Sequence, residues 1–400
     1  MKKYSVACSL AFLETLSTEI QLLLEVTQSA VLVGRQSWVQ LAQQFQFDWE
    51  VLLREAGRLG LYSQLYTLLQ NAPTAAVPKS ALDVLRQAQQ NITLRNLHMT
   101  GELAALLELF GARHIQVIPF KGPTLAALGG DDLSWRSFAD LDVLVARRDV
   151  AQASNLLKAR GYELQLDWAA TQDERFLDVT YTHEFFQPEK GVMVELHWEL
   201  FPRYMGYKFD FVELQKRVIP VTVAGKPMVT LGREDLLLYL CAHGAKHFWA
   251  TLNGVVDVAR LIQRYDDWDW PALLLLARQR KVERVTLLGL LLAKGLLAAP
   301  VPEWVEQQAL QDASLKRLAE ATVAAMFGPP QDEGGMWRQF RYFFQLQQDW
   351  LARLSYLLRL IVAPNVGDWQ FQPLPRQWAF LYAVLRPFRL LGKYLNFSPR

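Results

Sequence analysis

The sequence predicts an α+β protein in which a small mixed sheet is inserted between an N-terminal helical region and a C-terminal helical bundle. Three observations predict it. Apolar residues recur at three- and four-residue spacing before residue 112 and after residue 231, as in helices with one buried face. Between 113 and 230 the pattern changes to short β-prone runs of alternating character, separated by glycine turns and brief helical stretches. A run of Pro329-Pro330-Gln331-Asp332-Glu333-Gly334-Gly335 then separates a tail of different charge. The expected regions are therefore 1–112, 113–230, 231–328 and 329–400. Two or three domains suit 400 residues, because single cores rarely grow past about 250–300 residues.

Taken in order, helices are expected over Leu10–Val33, Ser37–Gln46, Trp49–Leu59 and Ser63–Gln70, with Asn71–Pro78 as a connection. Ser80–Phe110 reads as one long helix or two in tandem, stopping at Gly111. A strand over Ile115–Phe120, a helix over 123–129, a strand over 139–145 and a helix over 149–160 follow. Strands near 162–168, 180–187 and 191–198 complete the sheet, and a hairpin over Pro220–Val229 is expected to close the domain. Helices over Glu234–Ala250, Asn253–Tyr265, Trp270–Arg280, Val282–Leu297, Pro302–Asp312 and Leu315–Phe327 make the bundle.

A hydrophobic fraction of 51% against 20% charged residues describes a globular chain with a large core. The net charge of +2 points to no strongly charged partner. Two cysteines, Cys8 and Cys241, lie far apart in apolar surroundings, which argues against a disulfide framework and fits a reducing compartment. The N-terminus resembles a secretory signal only briefly, since Glu14 and Glu19 interrupt it and no apolar stretch precedes Cys8. The longest apolar run, Val285–Ala293, is about half a membrane span. A cytoplasmic location is the expectation. Residues 334–400 carry nine Lys/Arg against Asp349 and Asp368, a balance of +7, with Trp337, Trp350, Trp369 and Trp378 interleaved. That composition fits aromatic packing with outward arginines, contact with a membrane surface, or contact with nucleic acid.

The chemistry concentrates in Phe138–Val145. On a strand, Leu141, Val143 and Val145 share one face while Asp140, Asp142 and Leu144 share the other. Two carboxylates on one face of a half-buried strand repel each other and lose hydration, and a divalent cation is the simplest remedy. The alternative is a solvated edge with the acids paired to Arg136 or Arg147. Upstream, the strand ending at Phe120 meets Lys121-Gly122-Pro123-Thr124 and a helix start, an arrangement that favours anions because free N–H groups and the helix dipole face the incoming charge. Lys121 and Arg136 would add cations to that place. Downstream, Met193, Glu195 and His197 share a face of the strand over 191–198. If that strand pairs with the Asp140/Asp142 strand, Glu195 completes a carboxylate cluster suited to two Mg²⁺ ions, with Mn²⁺ as a substitute. His197 would orient Glu195, touch substrate, or sit as a satisfied core histidine; pairing of Glu195 with Lys190 or Arg203 is the structural alternative. His243 and His247 have a zinc-chelating spacing, but Gly244 stands where a metalloprotease needs Glu. They fit better as cleft-lining residues or partners of Asp257.

These pieces together resemble the polymerase-β-type nucleotidyltransferase superfamily, and more closely its bacterial uncharacterised nucleotidyltransferase family. The matching segments are Phe120-Lys-Gly-Pro, Arg136–Val145, Gly161-Tyr162, His183, Val194–Trp198, His243 and His247, Asp257 and the C-terminal Pro373-Leu-Pro and Leu385-Arg-Pro387. The resemblance implies nucleotidyl transfer. Asp140, Asp142 and Glu195 would act as metal ligands and catalytic carboxylates, and Lys121, Gly122, Thr124, Arg136 and His197 would contact a nucleoside triphosphate. One departure is Pro123, where the superfamily usually has Ser after the glycine; it offers no N–H to phosphate. The acceptor is not readable from the sequence. A non-catalytic nucleotide-binding or scaffold protein of the same fold, and a zinc hydrolase built on His243 and His247, are the competing expectations.

Overall fold

The computed structural model describes residues 16–31, 47–70, 77–130, 133–165, 177–328, 336–371, 374 and 376–395. Cys8, the expected helix Ser37–Gln46, the linker 329–335 and Pro373 lie outside the described residues.

Helices α1 (Thr18–Val31), α2 (Trp49–Leu59), α3 (Tyr62–Leu69) and α4 (Lys79–Gly111) open the described chain. Asp48 starts α2 by accepting from the amides of Glu50 and Val51, and Gly60 ends it in the left-handed region at φ 77°, where a side chain would be strained. The stretch expected as one helix or two is continuous. Then come β1 (Val117–Pro119), α5 (Gly122–Leu128), β2 (Asp140–Val145), α6 (Val150–Ala159), β3 (Glu163–Leu164), β4 (Thr182–Gln187), β5 (Val192–His197), α7 (Phe211–Gln215), β6 (Ile219–Val223) and β7 (Lys226–Thr230). Residues 166–168 of the expected third strand lie outside the described residues. Helices α8 (Arg233–Lys246), α9 (Leu252–Arg264), α10 (Trp270–Gln279), α11 (Glu283–Leu297), α12 (Glu303–Leu310), α13 (Ala313–Phe327), α14 (Met336–Gln345), α15 (Trp350–Val362), α16 (Val366–Phe371) and α17 (Tyr382–Leu395) complete the chain.

The elements gather into two compact units, each built from separated segments. One takes 104–120, 139–218 and 347–400; the other takes 1–103, 121–138 and 219–346.

The first unit holds a five-stranded sheet in the order β1-β2-β5-β4-β3. Only β2 and β5 run parallel; the other neighbours are antiparallel. Parallel neighbours need a crossover, which the chain between β2 and β5 supplies. On one face Leu141, Val143, Phe185, Val194 and Leu196 are fully buried and make the core. Three tail arginines are engaged within this unit. Arg386 and Arg389 each reach Asp368 at 2.6 Å, and Nε of Arg359 donates to the Tyr204 carbonyl at 3.1 Å. Helix α15 leaves Trp350, Leu351, Leu354, Leu358 and Ile361 exposed.

The second unit is mainly helical. The hairpin expected over Pro220–Val229 is present as β6–β7, a two-stranded sheet of its own within this unit. Thr230 at the end of β7 donates its hydroxyl to that of Thr124 at 3.4 Å. Alternating strand residues cannot tell which sheet a hairpin joins, because either partner satisfies the same pattern. Helices α8, α9 and α11 pack together around Cys241, Trp249 and Leu288, all nearly inaccessible. Burial pushes the Cys241 thiol pKa up. No helix among the described residues is long and apolar enough to cross a membrane.

Close approach of α11 and α8 depends on Gly289, where an added Cβ would lie 2.6 Å from Cys241 Sγ and 3.2 Å from the Trp249 ring. Gly→Ala within a helix ordinarily gains about 1 kcal/mol. Here overpacking, at about 1–3 kcal/mol, reverses the sign. Gly289→Ala is therefore expected to lower the urea unfolding free energy, and a Cys241→Ala background, lacking the sulfur, should recover part of the loss in a double-mutant cycle.

Candidate functional site

The register of β2 against β5 decides the geometry. Asp140 lies opposite Met193, Asp142 opposite Glu195, and Leu144 opposite His197. Directly paired residues project from the same face, so Asp140, Asp142, Glu195 and His197 all rise on one side of the sheet. Strand β4 adds Glu184 to that side, opposite Glu195. Glu184 is exposed; the alternation of β4 could have placed it there once the pairing was known.

Asp142, Glu195 and His197 converge. Their nearest ligand atoms all lie within 4.8 Å of one another, and they form the one such group of three or more among the described residues. Nε2 of His197 is 3.0 Å from Glu195 Oε2 and 3.4 Å from Asp142 Oδ1. The Asp142 side chain is 0% exposed and that of His197 4%, whereas Glu195 keeps 26%. Glu195 is thus the member of the trio most open to solvent. The backbone N–H of Phe120 reaches the Asp142 carbonyl at 3.4 Å, and its ring meets the His197 ring edge-on with centroids 5.2 Å apart. Asp140 shares the face but stands outside the close trio, half-buried at the strand's first position.

Electrostatics follow from this burial. Desolvation alone would push the His197 pKa down, but hydrogen bonds to Asp142 and Glu195, and their charges, outweigh it and hold the pKa above the ordinary imidazole range. A cation is therefore favoured beside the two carboxylates, whether a proton on the imidazole or a metal ion. The donor set, two carboxylates and one imidazole, fits a divalent metal.

In the other unit, Lys121, Gly122, Thr124 and Arg136 sit at the start of α5 and in the segment before β2. Gly122 has φ 54°, in the left-handed region. Thr124 is buried and donates to the Lys121 carbonyl at 3.0 Å. The 133–136 segment is pinned by amide side chains. Gln64 donates to the Trp135 carbonyl at 3.1 Å and Gln89 to that of Ser134 at 3.0 Å. Asn96 donates to the carbonyls of Leu133 and Arg136.

Arg136 Nε forms an ion pair with Asp257 at 3.2 Å without hydrogen-bond alignment, and Nη1 is buried with no hydrogen bond among the described residues. Burial raises the Asp257 pKa, and the charges of Arg136, Arg260 and Lys121 oppose that rise. The Arg260 guanidinium stacks 4.1 Å over Trp135 and donates to the Gly129 carbonyl. Arg136, Asp257 and Arg260 line a small pocket with Leu125, Gly129 and Leu261. Three cations thus act on one carboxylate. Arg260 and Trp135 escaped the sequence reading. The three-residue spacing of Asp257 and Arg260 on a helix was the available signal.

Several sequence-level alternatives resolve differently. Arg147 pairs with Asp178 at 2.7 Å, and Arg203 with Glu199 and Asp178. Helix α8 ends at Lys246 with His247 as its C-cap, and the His247 amide donates to the His243 carbonyl at 3.1 Å, so the two side chains lie one turn apart as expected. The two rings are 4.6 Å apart, and His243 Nδ1 meets the Tyr239 hydroxyl at 3.2 Å rather than Asp257. No third His, Cys or carboxylate joins them as a metal group among the described residues.

Comparison with known proteins adds the following. Residues 46–298 match the family described as uncharacterised nucleotidyltransferase. A solved structure, an antigenic nucleotidyltransferase-like protein from Paracoccidioides brasiliensis, is 15% identical over 52% of this chain and 97% of its own, with a TM-score of 0.31. No curated protein matches.

His183, on the opposite face of β4, packs edge-on to Trp198 with centroids 4.8 Å apart. Burial, aided by Lys158 of α6, pushes its pKa down to about 4. Unfolded chain binds that proton near pH 6.5, so stability should fall as pH drops from about 6.5 towards 4, by roughly 2 kcal/mol at pH 5. The difference between wild type and His183→Leu in urea unfolding at pH 7 and pH 5 isolates this contribution; equal pH dependence in both proteins would contradict it.

Proposed function

This chain belongs to the uncharacterised nucleotidyltransferase family, and we propose that it transfers a nucleoside monophosphate from a nucleoside triphosphate to a hydroxyl- or phosphate-bearing acceptor, releasing pyrophosphate. The observation that carries this reading is the convergence of Asp142, Glu195 and His197 on one sheet face beside Asp140.

Asp140, Asp142 and Glu195 would hold divalent metal, Mg²⁺ or Mn²⁺, which when bound offsets charge on the triphosphate and on the entering and leaving oxygens. Glu195, the accessible member of the trio, is placed to receive the proton of the attacking acceptor group. The acceptor oxygen bonds to the α-phosphorus, the α–β bridging bond breaks, and pyrophosphate carries away the electron pair. Buried Asp142 and His197 fix the position of Glu195 rather than meeting the acceptor. Lys121, Gly122, Thr124 and Arg136 are the proposed phosphate contacts. The clustering of Lys121, Arg136 and Arg260 around Asp257 supports Lys121 and Arg136 in that role, and Arg260 joins them. The Thr124 hydroxyl, already given to the Lys121 carbonyl, is the weakest member.

The test is metal-dependent pyrophosphate release from each of the four nucleoside triphosphates, with cell extract as the acceptor source and mass spectrometry of the labelled product. Asp140→Asn combined with Asp142→Asn is expected to abolish release, and Glu195→Gln to reduce it about 10²–10⁴-fold, the usual scale for a lost general base. Undiminished release by the double variant would refute the reading. Saturable nucleotide binding with no release in any extract would favour a non-catalytic nucleotide-binding protein instead.

A further inference from the structure

We propose that His197 is itself a metal ligand through Nε2, and that its nitrogen makes this centre select a first-row transition ion such as Mn²⁺ over Mg²⁺. The inference rests on the metal reading above and goes beyond its carboxylate set.

Distances carry it first. Nε2 lies 3.0 Å from Glu195 Oε2 and 3.4 Å from Asp142 Oδ1. Two donors held at about 2.1 Å from one ion stand ~3.0 Å apart at an octahedral right angle and ~3.4 Å apart at a tetrahedral angle. The imidazole nitrogen is therefore already spaced as a ligand relative to both carboxylates.

Confinement carries it second. The His197 side chain is 4% exposed, with the Phe120 ring against it at 5.2 Å and the Tyr181 ring at 5.9 Å. Nδ1 is buried and makes no hydrogen bond among the described residues, so the engaged nitrogen is the one facing the acids. The strand register fixes the same outcome, since Leu144 opposite His197 continues the face of Asp142 and Glu195.

Ligand chemistry then sets the ion. Mg²⁺ demands oxygen donors in near-ideal octahedral geometry and sheds water reluctantly. Imidazole raises affinity for first-row transition ions relative to it. Mn²⁺ gains from one nitrogen while keeping the oxygen-rich coordination that two carboxylates and substrate phosphates supply.

The experiment uses the whole protein, stripped with chelator and titrated with Mn²⁺ while the free-ion electron paramagnetic resonance signal is followed, then back-titrated with Mg²⁺. Pulsed measurements on bound Mn²⁺ read nitrogen-14 coupling directly. Wild type is expected to show that coupling and to need a large Mg²⁺ excess for displacement. His197→Ala should lose the coupling and reduce the Mn²⁺-over-Mg²⁺ preference at least ~10-fold, the loss that even supporting residues of metal sites cause. Bound Mn²⁺ without nitrogen coupling in wild type, or an unchanged preference in a folded variant, overturns the inference alone and leaves the carboxylates as metal holders. Failure of wild type to bind either ion overturns the inference together with the metal reading beneath it. Should His197→Ala fail to fold, the wild-type coupling decides the matter by itself.

Discussion

A carboxylate removed entirely from water has to be neutralised by something within a few ångströms, and Asp142 is such a carboxylate. An ionised acid buried without compensation costs several kcal/mol even after relaxation. Its neighbours in the same sheet face cannot relieve it, because Glu195 carries the same sign. The imidazole of His197, 3.4 Å from Asp142, supplies compensation. That one requirement explains why a histidine follows the glutamate by two residues on β5, why an aromatic ring closes over it, and why a divalent ion suits the place. The apolar side of the same strands is dry core, so the sheet cannot slip register without carrying these charges into it.

A comparable logic governs the helical unit, with the sign reversed. Asp257 is a single acid surrounded by Lys121, Arg136 and Arg260. Its own burial is offset by those cations. The segment carrying Arg136 is irregular, and irregular backbone buried without partners is unfavourable. Gln64, Gln89 and Asn96 answer that by donating to four successive carbonyls, from Leu133 to Arg136. Three neutral amides thus give a loop the rigidity of a regular element, and leave the guanidinium of Arg136 without the freedom that a surface loop would allow.

The tail engages part of its positive charge within its own unit. Its surplus of arginines suggests a partner of opposite sign, yet Arg386 and Arg389 share Asp368, and Arg359 satisfies a backbone carbonyl. Cations committed inside a unit contribute little to a surface field. What remains outward on α15 is apolar rather than basic.

Residue patterns by themselves determined the fold class, the place of most described helices before residue 328, and the faces of β2 and β5. Those follow from periods of 3.6 and 2, which are local properties of backbone geometry. They also placed Asp140, Asp142, Glu195 and His197 as candidates, because alternation fixes which side chains share a side. Tertiary structure alone decided the rest. The parallel pairing of β2 with β5, the assignment of β6–β7 to a separate sheet, the partner of Arg136, and the admission of His197 to the close trio in place of Asp140 all depend on register between distant segments. Register is a property of two strands together, set by packing across the sheet, and no single strand's sequence contains it.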